Sequence, residues 1–293
     1  MQIKGTTKLL GVMGDPVEHS LSPAMHNAAI AHLGIDYVYL PFPVKPAKLA
    51  TAVAGLAAIG VKGFNLTIPH KQAIIPLLSE VSPLAQSVGA VNTVCWTEQG
   101  WVGTNTDVAG FLAPLRSLNQ SLNRDWKHTK VVILGAGGAA RAVVAGCREL
   151  GCTEILMVGR NRDKLAAFAE SWLNTPISVP LTVHPWEELS MVLPETGLLV
   201  NTTPIGMYPQ VERSPLSDAD FTCLNSQTIV YDLIYTPSPT QFLQQAKAVG
   251  AIAIDGSEML VQQGAAALKI WIEQPVPVEV MRQALHQKLG LAT

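Results

Sequence analysis

VVILGAGGAAR, Val131 to Arg141, is the stretch from which the rest of the chain is read. A short β-branched run stops at Gly135. Gly137 and Ala140 fill the remaining positions of a G-x-G-x-x-G/A turn, and a helix-forming stretch, Ala139 to Leu150, follows immediately. In this strand–turn–helix context the backbone N–H groups at a helix start hold a pyrophosphate. Gly137 lets a ligand approach the backbone, because a Cβ there would block it. Further on, EILMVGRNR, Glu154 to Arg162, predicts a second strand ending near Val158. At that strand end an NAD-binding domain offers Asp or Glu to a ribose hydroxyl. This chain offers Gly159, Arg160, Asn161 and Arg162, and arginine favours the extra 2′-phosphate of NADP. Asp163 then belongs to the next helix start. A glycine-rich turn that merely joins two packed elements accounts for Gly135 but leaves the paired arginines without a reason. NADP is the expected cofactor.

Composition sets the frame around that turn. A chain of 293 residues is long for one core, and two domains of about 100–150 residues are expected. With 48% apolar and 14% charged residues it can bury substantial cores, and nothing in it points to disorder. A net charge of -2 without a Lys/Arg cluster argues against nucleic acid as the main partner. No apolar run reaches the roughly eighteen residues of a membrane span. The N-terminal MQIKGTTKLLGVMGDP lacks the apolar segment and cleavage site of a secretory signal. Cys95, Cys147, Cys152 and Cys223 form no C-x-x-C pair, so reduced thiols and a cytoplasmic location are expected. Histidines are scattered, and His26 and His32 share a helix but not a face, which argues against a metal site.

The first hundred residues alternate strand-like and helix-like segments. Lys8–Met13, Tyr37–Phe42 and Val61–Asn65 read as strands, and Pro23–Leu33, Ala47–Ile59 and Pro69–Leu78 as helices. Val91–Trp96 and Gly100–Gly103 read as a hairpin. This alternation implies an α/β domain with a largely parallel sheet. Asp107 to Leu118 is helical in pattern and is expected to connect the domains, with Asn119 to Thr129 as an exposed polar loop. Further strands are expected near Val131–Leu134, Ile155–Val158, Leu198–Asn201, Thr228–Leu233 and Ala251–Ile254, with Pro204 to Pro215 as loop. Two last helices, Ser257–Trp271 and Val278–Leu289, follow, and at least one is expected to pack back on the first domain.

Loops after the strands of a parallel sheet gather at its carboxyl edge, where ligands bind. Ser20 and Ser22, just before a helix, read either as helix caps or as hydroxyl donors to a small anionic or polyhydroxylated ligand. NLTIPHK places Asn65, Thr67 and Lys71 around a strand-to-helix junction. A lysine in the first turn of a helix meets the partial positive charge of the helix N-terminus, so Lys71 is either a solubilising lysine or a working one. GAVNT adds Asn92, and GTNTD adds Asn105 and Asp107. Asp107 either caps the connecting helix or turns toward Lys71.

SLSP, NLTIPHK, GAVNT, TDVAGF, GAGGAAR, NTTPIGM, YDLIYTPSPT and DGSEMLVQQGAAAL occur in the order found in shikimate dehydrogenase. From Val12 to about Trp271 the chain resembles that family. The resemblance implies a two-domain α/β fold, with residues 1–106 and 257–293 forming a substrate-binding catalytic domain. Residues 107–256 would form a Rossmann-type NADP domain. It implies reversible NADPH-dependent reduction of 3-dehydroshikimate to shikimate, a step of aromatic amino-acid biosynthesis. Lys71 matches the family's catalytic lysine, with Asp107 beside it. Ser20, Ser22, Thr67, Asn92, Asp107 and Gln263 match substrate-binding positions, and Tyr235 matches the family tyrosine near the substrate. Gly135, Ala136, Gly137, Gly138 and Ala139 match the pyrophosphate turn. Arg160 matches the arginine of the family's Asn-Arg-Thr motif. Gly159 and Asn161 depart from it, and Arg162 is expected to add a second contact to the phosphate. Thr202, Leu233, Gly256 and Met259 are similar to residues lining the nicotinamide side.

Moving a hydride to or from the alcohol carbon requires the hydroxyl proton to be lost or supplied, which a positioned acid/base does. Lys71 takes that role here, treated with Asp107 as one coupled pair. Neutral hydrogen bonds from Ser20, Ser22, Thr67, Asn92 and Gln263 would select for hydroxyl placement, because a wrong substrate leaves buried groups unpaired. Met259 and Gln263, four apart on one helix, share a face, with Met259 equally readable as core. Two other readings stand beside this one: a quinate/shikimate dehydrogenase with relaxed substrate or NAD use, and a non-catalytic NADP-binding regulatory homologue. A methylene-tetrahydrofolate dehydrogenase shares the two-domain plan but lacks these motifs. Oligomeric state stays open, a homodimer included.

Overall fold

Short runs of Val, Ile and Leu, punctuated by glycine and proline, supply the strands of this chain. The computed structural model describes residues 2–173, 175 and 177–291. It begins with β1 (Lys8–Gly14), α1 (Ser22–Leu33), β2 (Tyr37–Pro43), α2 (Leu49–Ala58), β3 (Gly63–Leu66) and α3 (His70–Ala73). Next come β4 (Glu80–Val81), α4 (Pro83–Val88), β5 (Thr93–Thr97), β6 (Gly100–Thr104) and α5 (Asp107–Leu122). They are followed by β7 (Lys130–Leu134), α6 (Gly138–Glu149), β8 (Glu154–Gly159), α7 (Arg162–Leu173), β9 (Leu181–Pro185) and α8 (Leu189–Val192). The chain ends with β10 (Leu198–Asn201), α9 (Asp218–Phe221), β11 (Ile229–Asp232), α10 (Gln241–Ala248), β12 (Ile252–Ile254), α11 (Ser257–Ile272) and α12 (Val278–Leu289). Two compact units result, Met1–Gly110 with Leu260–Thr293, and Phe111–Met259.

The first unit holds a six-stranded sheet of order β2-β1-β3-β5-β6-β4. β1 pairs in parallel with β2 and β3, β4 pairs in parallel with β6, and β5 runs antiparallel to β3 and β6. Successive side chains on a strand face opposite ways, so β1 serves two cores. Leu10 and Val12 join Met25 and Ile30 of α1, Val261 and Leu268 of α11, and Met281 and Leu285 of α12. Met13 faces the other side with Val53, Phe64, Leu66 and Ile74. The C-terminal helices therefore pack back on the first unit, as the sequence suggested. Full burial of each such side chain contributes about 1.5–3 kcal/mol.

In the second unit all six strands are parallel, in the order β12-β11-β10-β7-β8-β9. From β7 the chain steps outward through β8 to β9, then returns to build β10, β11 and β12 on the other side. β7 stands at the point where the order reverses, and its carboxyl end carries Gly135. Val132, Leu134, Leu156, Val158, Leu199 and Val230 form one core with Phe221 and Phe242. On the other face Phe111 stacks on Tyr231 at 5.3 Å between ring centroids. A Cβ at Gly146 would stand 2.6 Å from Phe111, so glycine lets α6 come close.

Several elements depart from the sequence reading. Asn119 to Thr129 is not a simple exposed loop: α5 runs to Leu122, and Trp126 is buried in a short 3₁₀ turn. Arg124 stacks over the Trp126 ring at 5.9 Å and donates to the Gly197 carbonyl at 3.1 Å. Pro69–Leu78 breaks into α3 and a 3₁₀ turn at Ile75–Leu77. β4, α4 and β9 had no counterpart in the sequence reading. LTVHP of β9 is an edge strand that buries none of its residues fully, so its apolar alternation is weak.

Candidate functional site

The strand-to-helix junction after β3 builds the first cluster. His70 is fully buried, and its Nε2 lies 2.6 Å from the Val44 carbonyl. A carbonyl only accepts, so that nitrogen carries the hydrogen and pins the start of α3. Lys71 follows, and its Nζ stands 2.6 Å from Oδ2 of Asp107, with side chains 26% and 12% exposed. Asn105 settles the alternative left open for Asp107. Its Oδ1 accepts from the backbone N–H of Asp107 at 3.0 Å and of Val108 at 3.4 Å, so Asn105 caps α5. The Asp107 carboxylate is thereby left to face Lys71.

Asn92, buried at the end of the GAVNT motif, orients the other carboxylate oxygen. Its Nδ2 donates to Asp107 Oδ1 at 2.8 Å and lies 3.4 Å from Gln263 Oε1. Its Oδ1 accepts from the Thr106 backbone N–H at 2.7 Å and the Thr93 hydroxyl at 3.0 Å. Gln263 is fixed in turn by donating to the Leu260 carbonyl at 2.9 Å. A buried chain continues inward: Asn65 Nδ2 donates to the Asn92 carbonyl and to Thr93, both at 3.0 Å, and the Tyr39 hydroxyl donates to Asn65 Oδ1 at 2.7 Å. Burial pushes the Tyr39 phenol well up, opposed by a hydrogen bond with Ser22.

Neither serine occupies the cap position of α1. Leu21 occupies the cap position without a side-chain bond, while Ser20 Oγ accepts from the Ser22 backbone N–H at 3.3 Å. Thr67 follows β3, its backbone N–H donating to the Met13 carbonyl at 2.9 Å, and a Cβ at Gly14 would strike its methyl group at 2.4 Å. Lys71, Asp107, Asn92 and Gln263 are thus brought into direct contact, and Ser22 joins them through Tyr39 and Asn65. Sequence reading found no role for Tyr39. In the sequence it is one more aromatic on a predicted strand, with nothing local to tie it to Asn65.

The second unit carries the glycine turn. Gly135 has φ +98°, a left-handed conformation that disfavours a side chain, and a Cβ there would stand 2.9 Å from Thr203 and 3.0 Å from the Thr202 hydroxyl. Thr202 Oγ1 donates to the Leu134 carbonyl at 2.8 Å and holds the strand end in place. Gly137 and Gly138 have nothing within 4 Å of an added Cβ, and Ala139 is exposed beside them, so the start of α6 is open to an anion. Gly135, Ala136 and Gly137 border a cavity of about 300 Å³ that Arg160, Lys164 and Trp186 also line. The open turn and two cations at the next strand end fit a phosphorylated dinucleotide.

Arg162 is placed differently from Arg160. Its Nη2 lies 3.4 Å from Glu187 Oε2, both side chains well exposed, and it does not line the cavity. Asn161 caps α7 by accepting from the Lys164 backbone N–H at 2.8 Å. Gly159 is buried, and a Cβ there would press on Leu165 at 3.0 Å, so Leu165 occupies the room a larger residue would need. Lys164 escaped the sequence reading because its role depends on where that cap starts the helix.

Leu233 and Gly256 meet at close range: a Cβ on Gly256 would stand 2.1 Å from the Leu233 carbonyl oxygen. Met259 is half-buried in the first turn of α11. Tyr235, half-buried after β11, has its phenol pushed up by burial. Just before it lies a network, joining the NTTPIGM and YDLIYTPSPT motifs, to which sequence reading assigned no role. Asp232 accepts from Asn201 Nδ2 at 3.0 Å, Thr240 Oγ1 at 2.7 Å and the Ile234 backbone N–H at 3.1 Å. Burial raises its pKa to about 6, and those hydrogen bonds oppose the shift. Among the described residues no group of three or more His, Cys, Asp or Glu could hold a metal ion, and no helix is long and apolar enough to cross a membrane.

A parallel sheet of this order, with an open glycine turn at its switch point and cations at the next strand end, defines a Rossmann-type dinucleotide-binding protein. Residues 12–94 match the shikimate dehydrogenase substrate binding domain, 117–233 the shikimate / quinate 5-dehydrogenase family, and 256–286 the shikimate 5'-dehydrogenase C-terminal domain. The shikimate dehydrogenase (NADP(+)) of Nostoc sp. strain PCC 7120 is 64% identical over 290 residues, 99% of each chain. A crystal structure of a shikimate dehydrogenase in complex with NADP+ superposes with a TM-score of 0.87 at 38% identity over 98% of both chains. Shikimate 5-dehydrogenase from Thermus thermophilus, in complex with NADP(H) and shikimate, gives 0.81 at 33% identity over 96% of this chain and 99% of that one. The chain belongs to the shikimate dehydrogenase family.

Proposed function

We infer that this chain is an NADP-dependent shikimate dehydrogenase, catalysing the reversible reduction of 3-dehydroshikimate to shikimate. The observation that carries the reading is the Lys71–Asp107 pair at 2.6 Å, oriented by Asn92, in a chain so similar to enzymes of that name. NADPH, when bound, supplies the hydride. Lys71 handles the proton: its ammonium donates to the carbonyl oxygen as the alcohol forms, and its amine takes the hydroxyl proton in reverse. Asp107 holds the amine in place through one oxygen while Asn92 holds the other. Ser20, Ser22, Thr67, Asn92, Gln263 and Tyr235 are the residues we assign to the substrate's hydroxyls and carboxylate. A ring with a misplaced hydroxyl would leave buried polar groups such as Asn92 and Gln263 unpaired.

For the dinucleotide, Gly135 to Ala139 hold the pyrophosphate, and Arg160 the 2′-phosphate. Thr202, Leu233, Gly256 and Met259 are assigned to the nicotinamide end. Arg162, paired with Glu187, reaches the phosphate only by exchanging that partner. In this reading residues 1–106 with 257–293 serve the substrate and residues 107–256 the NADP. A cytoplasmic location and a homodimer accompany the reading, the latter testable by light scattering. The deciding experiment is NADPH formation by the purified protein with shikimate, repeated with quinate and with NAD. Turnover favouring quinate with NAD would replace the reading with the quinate alternative, and no turnover with either would replace it with the regulatory one.

A further inference from the structure

β8 and β9 are neighbours in the second sheet, and their register pairs Gly159 with Pro185. The next residue on each strand end is Arg160 on one and Trp186 on the other, so these two side chains leave the sheet edge side by side. Both line the cavity that begins at the Gly135 turn. Along the sheet edge the carboxyl ends of β7, β8 and β9 present, in order, an open glycine turn, a cation and an indole. Part of Trp186 packs against the core that contains Leu156 and Val158, and the ring is only partly buried. The indole is therefore braced from behind and open toward the cavity. No hydrogen bond involving its ring nitrogen engages the rest of the protein among the described residues.

We propose that Trp186 is the platform on which the adenine ring of the dinucleotide lies. The inference rests on the NADP reading and deepens it. A dinucleotide whose pyrophosphate sits at the glycine turn and whose 2′-phosphate sits at Arg160 has its adenine directed to the next strand end, where Trp186 stands. Nucleobases present a π-face and stack on aromatic side chains irrespective of their hydrogen-bonding edges. The Arg160 guanidinium, beside the indole, is available both to the phosphate and to the exposed face of the base. Trp186 acts in binding only and takes no part in hydride or proton movement.

The test uses the full chain and two ligands, adenosine 2′,5′-bisphosphate and 5′-AMP, measured by calorimetric titration. Trp186→Leu weakens both about tenfold and by the same factor, because only the base contact is lost. The preference for the 2′-phosphorylated ligand therefore stays at its wild-type value. Trp186→Phe restores both affinities to within about threefold, since a smaller ring still stacks. Arg160→Ala instead lowers the preference, weakening the 2′-phosphorylated ligand much more than 5′-AMP. Steady-state kinetics of Trp186→Leu show a raised KM for NADPH with kcat unchanged. Wild-type-like binding of both ligands by Trp186→Leu overturns the proposal. So does an unequal loss that Phe does not repair, which points to a displaced loop. Failure of the wild-type chain to bind adenosine 2′,5′-bisphosphate overturns the NADP reading itself.

Discussion

Lys71→Ala removes the only group in the Asn92–Asp107–Lys71 set that can exchange a proton as an amine. General acid–base catalysis by a positioned side chain contributes about 10²–10⁴ in rate. At ~1.36 kcal/mol per tenfold, that is about 3–5 kcal/mol of barrier. The effect on folding is far smaller. The two side chains are 26% and 12% exposed, so water screens their attraction. A partly buried ion pair of this kind contributes about 1 kcal/mol. Asp107 keeps its bond from Asn92 at 2.8 Å, so the carboxylate is not left without a partner. In a unit of this size the melting temperature falls by roughly 2–4 °C. The assay is steady-state NADPH formation with shikimate, run beside a thermal melt. Expected is a kcat lower by two to four orders of magnitude, with KM for shikimate changed by less than about threefold. A kcat within a factor of about three of wild type refutes the assignment, because the proton would then travel by another route.

Three further outcomes follow from other parts of the molecule. Arg160→Ala weakens NADP about 10–100-fold, the equivalent of one charge-assisted hydrogen-bond set, and NAD much less; equal losses would show that the 2′-phosphate is held elsewhere. Asp232, with its pKa raised by burial from 3.8 to about 6, binds a proton more tightly in the folded chain than in the unfolded one. Its contribution favours the fold at low pH and is lost as pH rises from about 4 to 6, amounting to as much as about 3 kcal/mol. Denaturation of wild type and Asp232→Asn at pH 4 and pH 7 reads this directly: the wild type loses more stability than the variant across that interval, and parallel behaviour would contradict it. Gly256→Ala forces a Cβ to 2.1 Å from the Leu233 carbonyl, where backbone has to shift. It lowers stability by about 1–3 kcal/mol and raises KM for NADPH; an unchanged melting temperature would count against the close approach.

Local chemistry announced most of the architecture. β10 and α12 fall within their expected bounds, Leu198–Asn201 and Val278–Leu289, because an apolar run and an amphipathic repeat are written in consecutive residues. Lys71, Asp107 and Asn92 were legible as candidates because each sits at a strand-to-helix or hairpin junction. Their mutual contacts were not. Asp107 stayed ambiguous until Asn105 was seen to do the capping, a choice between two neighbouring side chains that sequence weighs almost equally. Tyr39, buried between Ser22 and Asn65, reads in the sequence as one more aromatic on a strand. Lys164 is an exposed residue of α7 placed by the Asn161 cap, and Trp186 follows an edge strand of weak pattern, so that only pairing between β8 and β9 sets the indole beside Arg160.

Backbone conformation and periodicity, which act over a few residues, were settled by the amino acids alone: the Gly135 turn, the alternation of strand and helix, and the cationic strand end. Partner choice was settled by the fold, because a hydrogen bond between Asn92 and Asp107, or a cavity shared by residues 135 and 186, depends on chain segments tens of residues apart being fixed to within a few tenths of an ångström. A sequence states which groups are on offer, and only packing of the sheets decides which of them meet.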